Sequence, residues 1–288
     1  MYYALIILSV IMFGANFALK DAYRKIMGSS LKITLQYSFV AGIAGIVFMI
    51  IAGGFKFEFT WFTFIFAFFN SLNGILFTFC SFKALGVINL SLYSVFSMLG
   101  GMVLPFAFGI IFYGEPLTLA KSVCFIFIVV AIIITYKKGK QKKSSIIYYA
   151  GVFILNGMSG VYSKFFTEAP LEKTSAAGYS TWVAIWSLAT TVILLLLFSK
   201  KLGATPHETP KTVAITVCSG GLNKIANYIL VLALAHVDSS VQYPMVTGGV
   251  MIVSTIVCFL QKNRPSNREI LSVTVAFIGL LALFALPV

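Results

Sequence analysis

Residues 84–114 read ALGVINLSLYSVFSMLGGMVLPFAFGIIFYG, without one charged side chain. About 20 apolar residues in helical conformation cross the roughly 30 Å hydrocarbon core of a bilayer. This stretch is longer than that, and it is bounded by Lys83 and Glu115. Working outward, runs free of Asp, Glu, Lys and Arg recur at 1–19, 33–55, 59–82, 122–136, 144–163, 174–199, 239–261 and 270–288. The run at 122–136 gains length from Thr118 to Lys121, and 212–237 is apolar apart from Lys224. The 288 residues are 59% hydrophobic and 10% charged, with a mean hydropathy of +0.98. A soluble domain averages about 25% charged residues, so water is not the main solvent of this chain. The reading is an all-α membrane protein with ten transmembrane helices and no soluble domain. Span 1 lacks a basic leader, and Lys20-Asp21 is a poor cleavage context, so it reads as a retained helix.

The formal net charge of +13 does not indicate nucleic acid, because no compact domain gathers the charge into a stripe. Lys137, Lys138, Lys140, Lys142 and Lys143 sit just beyond a span end, where a basic cluster meets anionic headgroups and fixes topology. The loops after odd-numbered spans hold 16 of the 21 Lys and Arg residues, and those after even-numbered spans hold Lys56, Lys121, Lys164 and Lys173. Positive loops stay in the cytoplasm. Both termini are therefore expected outside, with the chain in a bacterial cytoplasmic membrane.

The chain also reads as two halves, 1–140 and 145–288. Phe13-Gly14-Ala15-Asn16-Phe17-Ala18-Leu19-Lys20 ends span 1, and Gly157-Met158-Ser159-Gly160-Val161-Tyr162-Ser163-Lys164 ends span 6. Leu72-Asn73 recurs as Leu222-Asn223, and Leu99-Gly100-Gly101-Met102-Val103 as Thr247-Gly248-Gly249-Val250-Met251. The offsets stay near half the chain. Five spans per half force opposite orientations, which gives two inverted five-helix repeats. In secondary transporters so built, the site lies between the halves near the midplane.

With these features the sequence resembles the drug/metabolite transporter superfamily, in particular its EamA-like ten-helix families. Gly14-Ala15-Asn16-Phe17 followed by Lys20 is similar to the first-helix signature, with Phe13 where a Trp is usual. Gly114-Glu115-Pro116-Leu117-Thr118 resembles the Gly-Glu-x-Leu-Thr turn between the fourth and fifth helices, and the connection from Ala84 to Ser91 also matches. Asn263-Arg264-Pro265-Ser266 stands where the Glu-containing turn would recur. The resemblance implies alternating access, with spans 1, 3, 4, 6, 8 and 9 lining a central cavity that Asn16 and Asn73 face. It also implies coupling other than through a first-helix carboxylate, since span 1 has Asn16 and no acid.

Lys224 is the residue most informative about chemistry. It lies 13 residues from Lys211 and 14 from Asp238, about 20 Å along a helix in either direction, too deep to snorkel. A lysine at mid-membrane costs roughly 2.5–3.5 kcal/mol on insertion scales, so it must face a polar cavity or a partner. The eight acidic residues all fall at predicted span ends or in loops. The counter-charge is then a solute anion, or else the lysine is neutral and bonded to backbone carbonyls. Asn223 and Asn227 share one helix face beside it, and Gly220 and Gly221 leave room one turn earlier. The expected substrate-binding set is Lys224, Asn223, Asn227, Asn73, Asn16 and Tyr243.

Asn70, Asn156, Gln36 and Gln242 are also polar residues inside spans, where such side chains join helices. The pairs Gly100-Gly101 and Gly248-Gly249 read as packing surfaces, their equivalent places suggest that spans 4 and 9 cross at the pseudo-two-fold, and Pro105 and Pro244 interrupt the same spans as kinks or hinges. Trp61, Trp182 and Trp186 lie where interfacial anchors belong. Cys80, Cys124, Cys218 and Cys258 fall inside spans and imply no disulfide framework. His207 and His236 are the only histidines, no Walker loop or nucleophile elbow occurs, and no catalytic residue, metal or cofactor is expected. Transport without an ATP site is secondary or passive. The expected function is secondary transport of a small polar, anionic or zwitterionic metabolite, with lipid and solute as the partners and no protein partner required. The alternatives are an exporter of amphiphilic cations, or a membrane receptor or scaffold without flux.

Overall fold

The computed structural model describes residues 2–52, 54, 56–114, 116–135, 143–198, 206–234, 236–237, 239–261 and 265–286. Among the described residues it contains ten α-helices and no strand: α1 (Tyr2–Met27), α2 (Leu31–Ala52), α3 (Trp61–Leu85), α4 (Leu90–Tyr113), α5 (Leu119–Thr135), α6 (Lys143–Glu168), α7 (Ala176–Phe198), α8 (Pro210–Leu234), α9 (Ser239–Leu260) and α10 (Asn267–Ala285). Eight of them, α1 to α4 and α6 to α9, contain segments long and apolar enough to cross a membrane, as an integral membrane protein requires. The apolar part of α5, Leu119–Ile134, is shorter. Exposed large apolar side chains such as Ile7, Ile11, Val47, Ile126 and Leu197 cover outward faces of the helices. That is stable in lipid and unfavourable in water.

Local chemistry, rather than charge, sets the helix ends. The uncharged stretch 84–114 is not one helix, since α3 runs into it as far as Leu85 and α4 starts at Leu90. Asn89 caps α4 by accepting from the backbone N–H of Leu92, and Gly114 ends it in the left-handed conformation, φ 65°. Ser266 and Glu269 form a capping box at the start of α10. Likewise α1 does not stop at Lys20. It continues through Lys20, Asp21, Arg24 and Lys25 to Met27, and Gly28 at φ 99° breaks it. Asp21 pairs with Arg24 at 2.7 Å and Lys25 at 2.6 Å, one turn along the same helix. The first helix therefore does contain an acid, contrary to the sequence reading, and its carboxylate is engaged by two cations.

The helices pack in a definite set of pairs: α1 with α8 and α9, α6 with α3 and α4, α2 with α7 and α8, α3 with α7, α4 with α9, and α5 with α10. Glycines permit the closest of these contacts. A Cβ on Gly100 would stand 2.0 Å from the Phe153 carbonyl oxygen on α6, and one on Gly157 would stand 2.5 Å from the Gly100 oxygen on α4. A Cβ on Gly14 of α1 would meet Val253 of α9 at 2.2 Å. Each glycine of the two pairs has its own neighbour. Gly100 and Gly101 face Phe153 and Asn156 of α6, Gly248 faces Phe277 and Leu280 of α10, and Gly249 faces Val10 of α1. α4 and α9 do pack together, and the glycine pairs also admit α6, α10 and α1, Gly100 against backbone and the other three against side chains. Pro105 and Pro244 lie inside α4 and α9. Pro105 packs against Gly160 of α6.

Carboxylates tie loops at the bundle ends. Glu58, before α3, accepts from the backbone N–H and hydroxyl of Ser175, the hydroxyl at 2.7 Å. Glu208, before α8, accepts from the Tyr23 hydroxyl of α1 and from Thr212. Near Glu58, the indole N–H groups of Trp182 and Trp186 donate to Glu58 and Phe64 carbonyls at 2.9 Å, and Trp61 is 70% exposed, as an interfacial residue would be. Lys137, Lys138, Lys140 and Lys142, Glu115, Asn263 and Arg264 lie outside the described residues.

Candidate functional site

A cavity of about 260 Å³ lies among α1, α3, α4, α6, α7, α8 and α9. Six of these seven helices are those the resemblance implies. The seventh, α7, packs on α3 and brings Tyr179, Ser180, Val183 and Ser187 to the wall. No hydropathy pattern distinguishes α7 as a lining helix, because its cavity face consists of Ser, Val and Tyr, which lipid-facing and packed surfaces also use.

Five of the six expected binding residues reach this cavity: Lys224, Asn223, Asn227, Asn73 and Tyr243. Asn16 does not. It is fully buried between α1 and α8, where its Nδ2 donates to the Ser219 carbonyl oxygen at 2.6 Å and to the Ser219 hydroxyl at 2.8 Å. The same hydroxyl bonds to that of Tyr37 from α2. The Asn16 signal in the sequence was real, but it marks a polar tie between three helices. In an apolar medium, an amide that finds partners on neighbouring helices stays with them.

The Lys224 stem runs along α2 at Gly45, where a Cβ would stand 3.0 Å from the lysine Cγ and 3.4 Å from Cε. Gly45 thus provides the trough in which the lysine lies. Among the described residues no carboxylate lines the cavity, and Lys224 has no hydrogen bond or ion pair there. Around it are amides in different states. Asn227 donates to the Asn223 carbonyl oxygen at 2.7 Å, closing its turn. Asn73 donates to the Leu155 carbonyl oxygen of α6 at 2.9 Å. The Asn223 side chain has no partner among the described residues, which leaves both its donor and its acceptor for a solute. Tyr243 meets Phe106 edge-on at 6.1 Å.

Residues that the sequence reading assigned to helix packing also line the wall while bonding to neighbours. Asn70 donates to the Tyr179 hydroxyl at 2.7 Å, Asn156 to the Ser97 carbonyl oxygen at 2.6 Å, and Gln242 to that of Leu230 at 2.9 Å. The Gln242 Oε1 is buried with no partner. The larger omission is Lys20. At the charged end of span 1 in the sequence, it is buried within α1 and lines the cavity, with its ammonium 5.1 Å from the centroid of the Phe77 ring. The available signal was the sequence after it: nothing between Lys20 and Gly28 breaks a helix. His236 is exposed and stacks on Tyr2 at 4.0 Å, away from the cavity lining.

The chain can therefore hold a small polar solute in a cationic, amide-rich cavity within an apolar bundle. Among the described residues there is no cluster of His, Cys, Asp or Glu able to hold a metal ion. No family profile and no curated protein matches the chain. Twenty-eight chains of solved structures do match it. One of them, described only as "Crystal structure of protein", aligns with 98% of this chain and 96% of its own at a TM-score of 0.66 and 16% identity, a likeness of fold alone.

Proposed function

We propose that this protein is a secondary transporter of the EamA-like kind, moving a small anionic or zwitterionic metabolite by alternating access between two inverted five-helix halves. The observation that carries the reading is Lys224: a lysine lining a central cavity, without a carboxylate in that lining, flanked by Asn223, Asn227 and Asn73. Desolvating an ammonium is costly unless a counter-charge arrives, and a solute anion supplies it. A cavity lined by cationic side chains disfavours amphiphilic cations, the rival cargo.

The helix pairing supports the inverted halves. Advancing each helix number by five turns the α1–α8 contact into α6–α3, α4–α6 into α9–α1, and α2–α8 into α7–α3, all of which occur. The pairs α2–α7, α4–α9 and α5–α10 map onto themselves. In this reading α5 and α10 cross the bilayer as a peripheral pair, and the loop bias puts both termini outside.

Counterflow in proteoliposomes tests the function. Vesicles preloaded with an unlabelled anionic metabolite should accumulate the labelled form, and Lys224→Met should lower uptake about tenfold or more, since hydrogen bonds to charged groups contribute about 1.5–3 kcal/mol. Normal uptake by the variant, or counterflow of cations instead, would sink the anion reading. Absence of counterflow for anionic, zwitterionic and cationic solutes alike would point to a receptor or scaffold.

A further inference from the structure

The positive charge of the cavity is not confined to Lys224. Lys20 is 5% exposed, lines the same chamber, and has no hydrogen bond or ion pair among the described residues. Its neighbour Asp21 offers no relief, because that carboxylate is held by Arg24 and Lys25. The ring of Phe77 faces the Lys20 ammonium, but a cation–π contact offsets only part of the cost of desolvating a charge.

The register of α1 against α8 relates the two lysines. The helices run antiparallel, with Ser9 bonded to the Ala226 carbonyl oxygen at 3.2 Å and Asn16 to that of Ser219 at 2.6 Å. Lys20 is four residues past the Asn16–Ser219 rung along α1, and Lys224 is five residues past it along α8, in the opposite direction. Their Cα levels are therefore about 13–14 Å apart along the axis at 1.5 Å per residue. Side chains on a helix tilt toward its N-terminus. On antiparallel helices the two lysine stems consequently lean toward each other, toward the level of the rung.

We propose that Lys20 is a second anion-binding residue and that the cavity takes a small solute with two separate acidic groups, one held by Lys20 and the other by Lys224. The inference rests on the reading of Lys224 as an anion site. A monoanion leaves one buried ammonium uncompensated, whereas a short diacid neutralises both. Charge count thus becomes the basis of selectivity.

Calorimetry on the purified full-length protein in nanodiscs at pH 7.5, with succinate, glutarate and adipate against the half-amides of the same acids, tests this. The wild type should bind at least one diacid about tenfold or more tighter than its half-amide. Lys20→Gln should abolish that preference by weakening diacids far more than half-amides, Lys20→Arg should preserve it, and Lys224→Met should weaken both kinds of ligand. Equal binding of diacids and half-amides by the wild type overturns the proposal, even if the Lys20 variants fail to fold. Retention of the preference by Lys20→Gln, with loss of binding in Lys224→Met, overturns the role of Lys20 while the anion reading of Lys224 stands. If none of the six compounds binds the wild type, both readings fall.

Discussion

Asn16 and Ser219 are joined twice, the asparagine amide donating to the serine carbonyl oxygen at 2.6 Å and to its hydroxyl at 2.8 Å across α1 and α8. Asn16→Ala breaks both bonds without touching the cavity wall. Polar ties of this kind contribute about 0.6–2 kcal/mol in membranes. The variant should show a lower unfolding midpoint in detergent and unchanged solute affinity. A large loss of affinity at normal stability would return Asn16 to the binding site.

Gly45 gives a test of the site that leaves Lys224 itself in place. Gly45→Val puts side-chain atoms where the lysine stem now lies, since the Cβ alone stands 3.0 Å from the lysine Cγ. The lysine is flexible and can yield, so the fold should persist while anion affinity falls several-fold. Affinity equal to the wild type, measured alongside Lys224→Met, would show that the position of the lysine is unimportant.

Backbone contact predicts a sharper effect at Gly100. Gly100→Ala forces α4 away from α6, because the obstacle is the Phe153 carbonyl at 2.0 Å and backbone cannot rotate away. A cost of about 1–3 kcal/mol or more is expected from overpacking, seen as lower yield and a lower unfolding midpoint. Gly74→Ala is the control. Gly74 lines the cavity with nothing within 4 Å of its Cβ position, so folding should be unaffected or improved by the better helix former. If the two substitutions behave alike, the close α4–α6 approach is not a constraint on this fold.

The Glu58 loop tie predicts a pH dependence. The backbone N–H and hydroxyl of Ser175 hold the Glu58 carboxyl below its ordinary value near 4.5. For a group whose folded value is depressed, the stabilisation is present above the unfolded value and is lost as pH falls through the folded one. The tie should therefore be complete at neutral pH and loosen only below about pH 4.5. Glu58→Gln should lower the unfolding midpoint modestly at pH 7 and narrow the difference from wild type toward pH 3. A difference that is constant with pH would mean that the carboxylate charge is not what matters.

Topology is checked by labelling. With the four native cysteines replaced, a cysteine at Gly139 should react with an impermeant thiol reagent only after permeabilisation, if the proposed orientation, which follows from the lysine bias of the loops, holds. Labelling of intact cells would reverse the orientation.

The membrane class and the approximate helix sequence were determined by the chain itself, since burial in lipid needs nothing but length and apolarity, and both are local. Lys224 was legible for the same reason: a charge far from either end of an apolar run is conspicuous without any neighbour. Tertiary structure decided the rest. Lys20 sits at the edge of an uncharged run, and only the continuation of α1 to Met27, together with the packing of α8, α9 and α3 against that helix, turns an apparent loop cation into a cavity residue. Asn16 and Asn223 are the same residue type at similar depth, yet one is consumed by Ser219 and the other faces the chamber. The glycine pairs announced close packing but not against which helix, and α7 gave no sign that it lined the cavity. Orientation about a helix axis is set by partners far away in sequence, and the spacing of one helix does not contain that information.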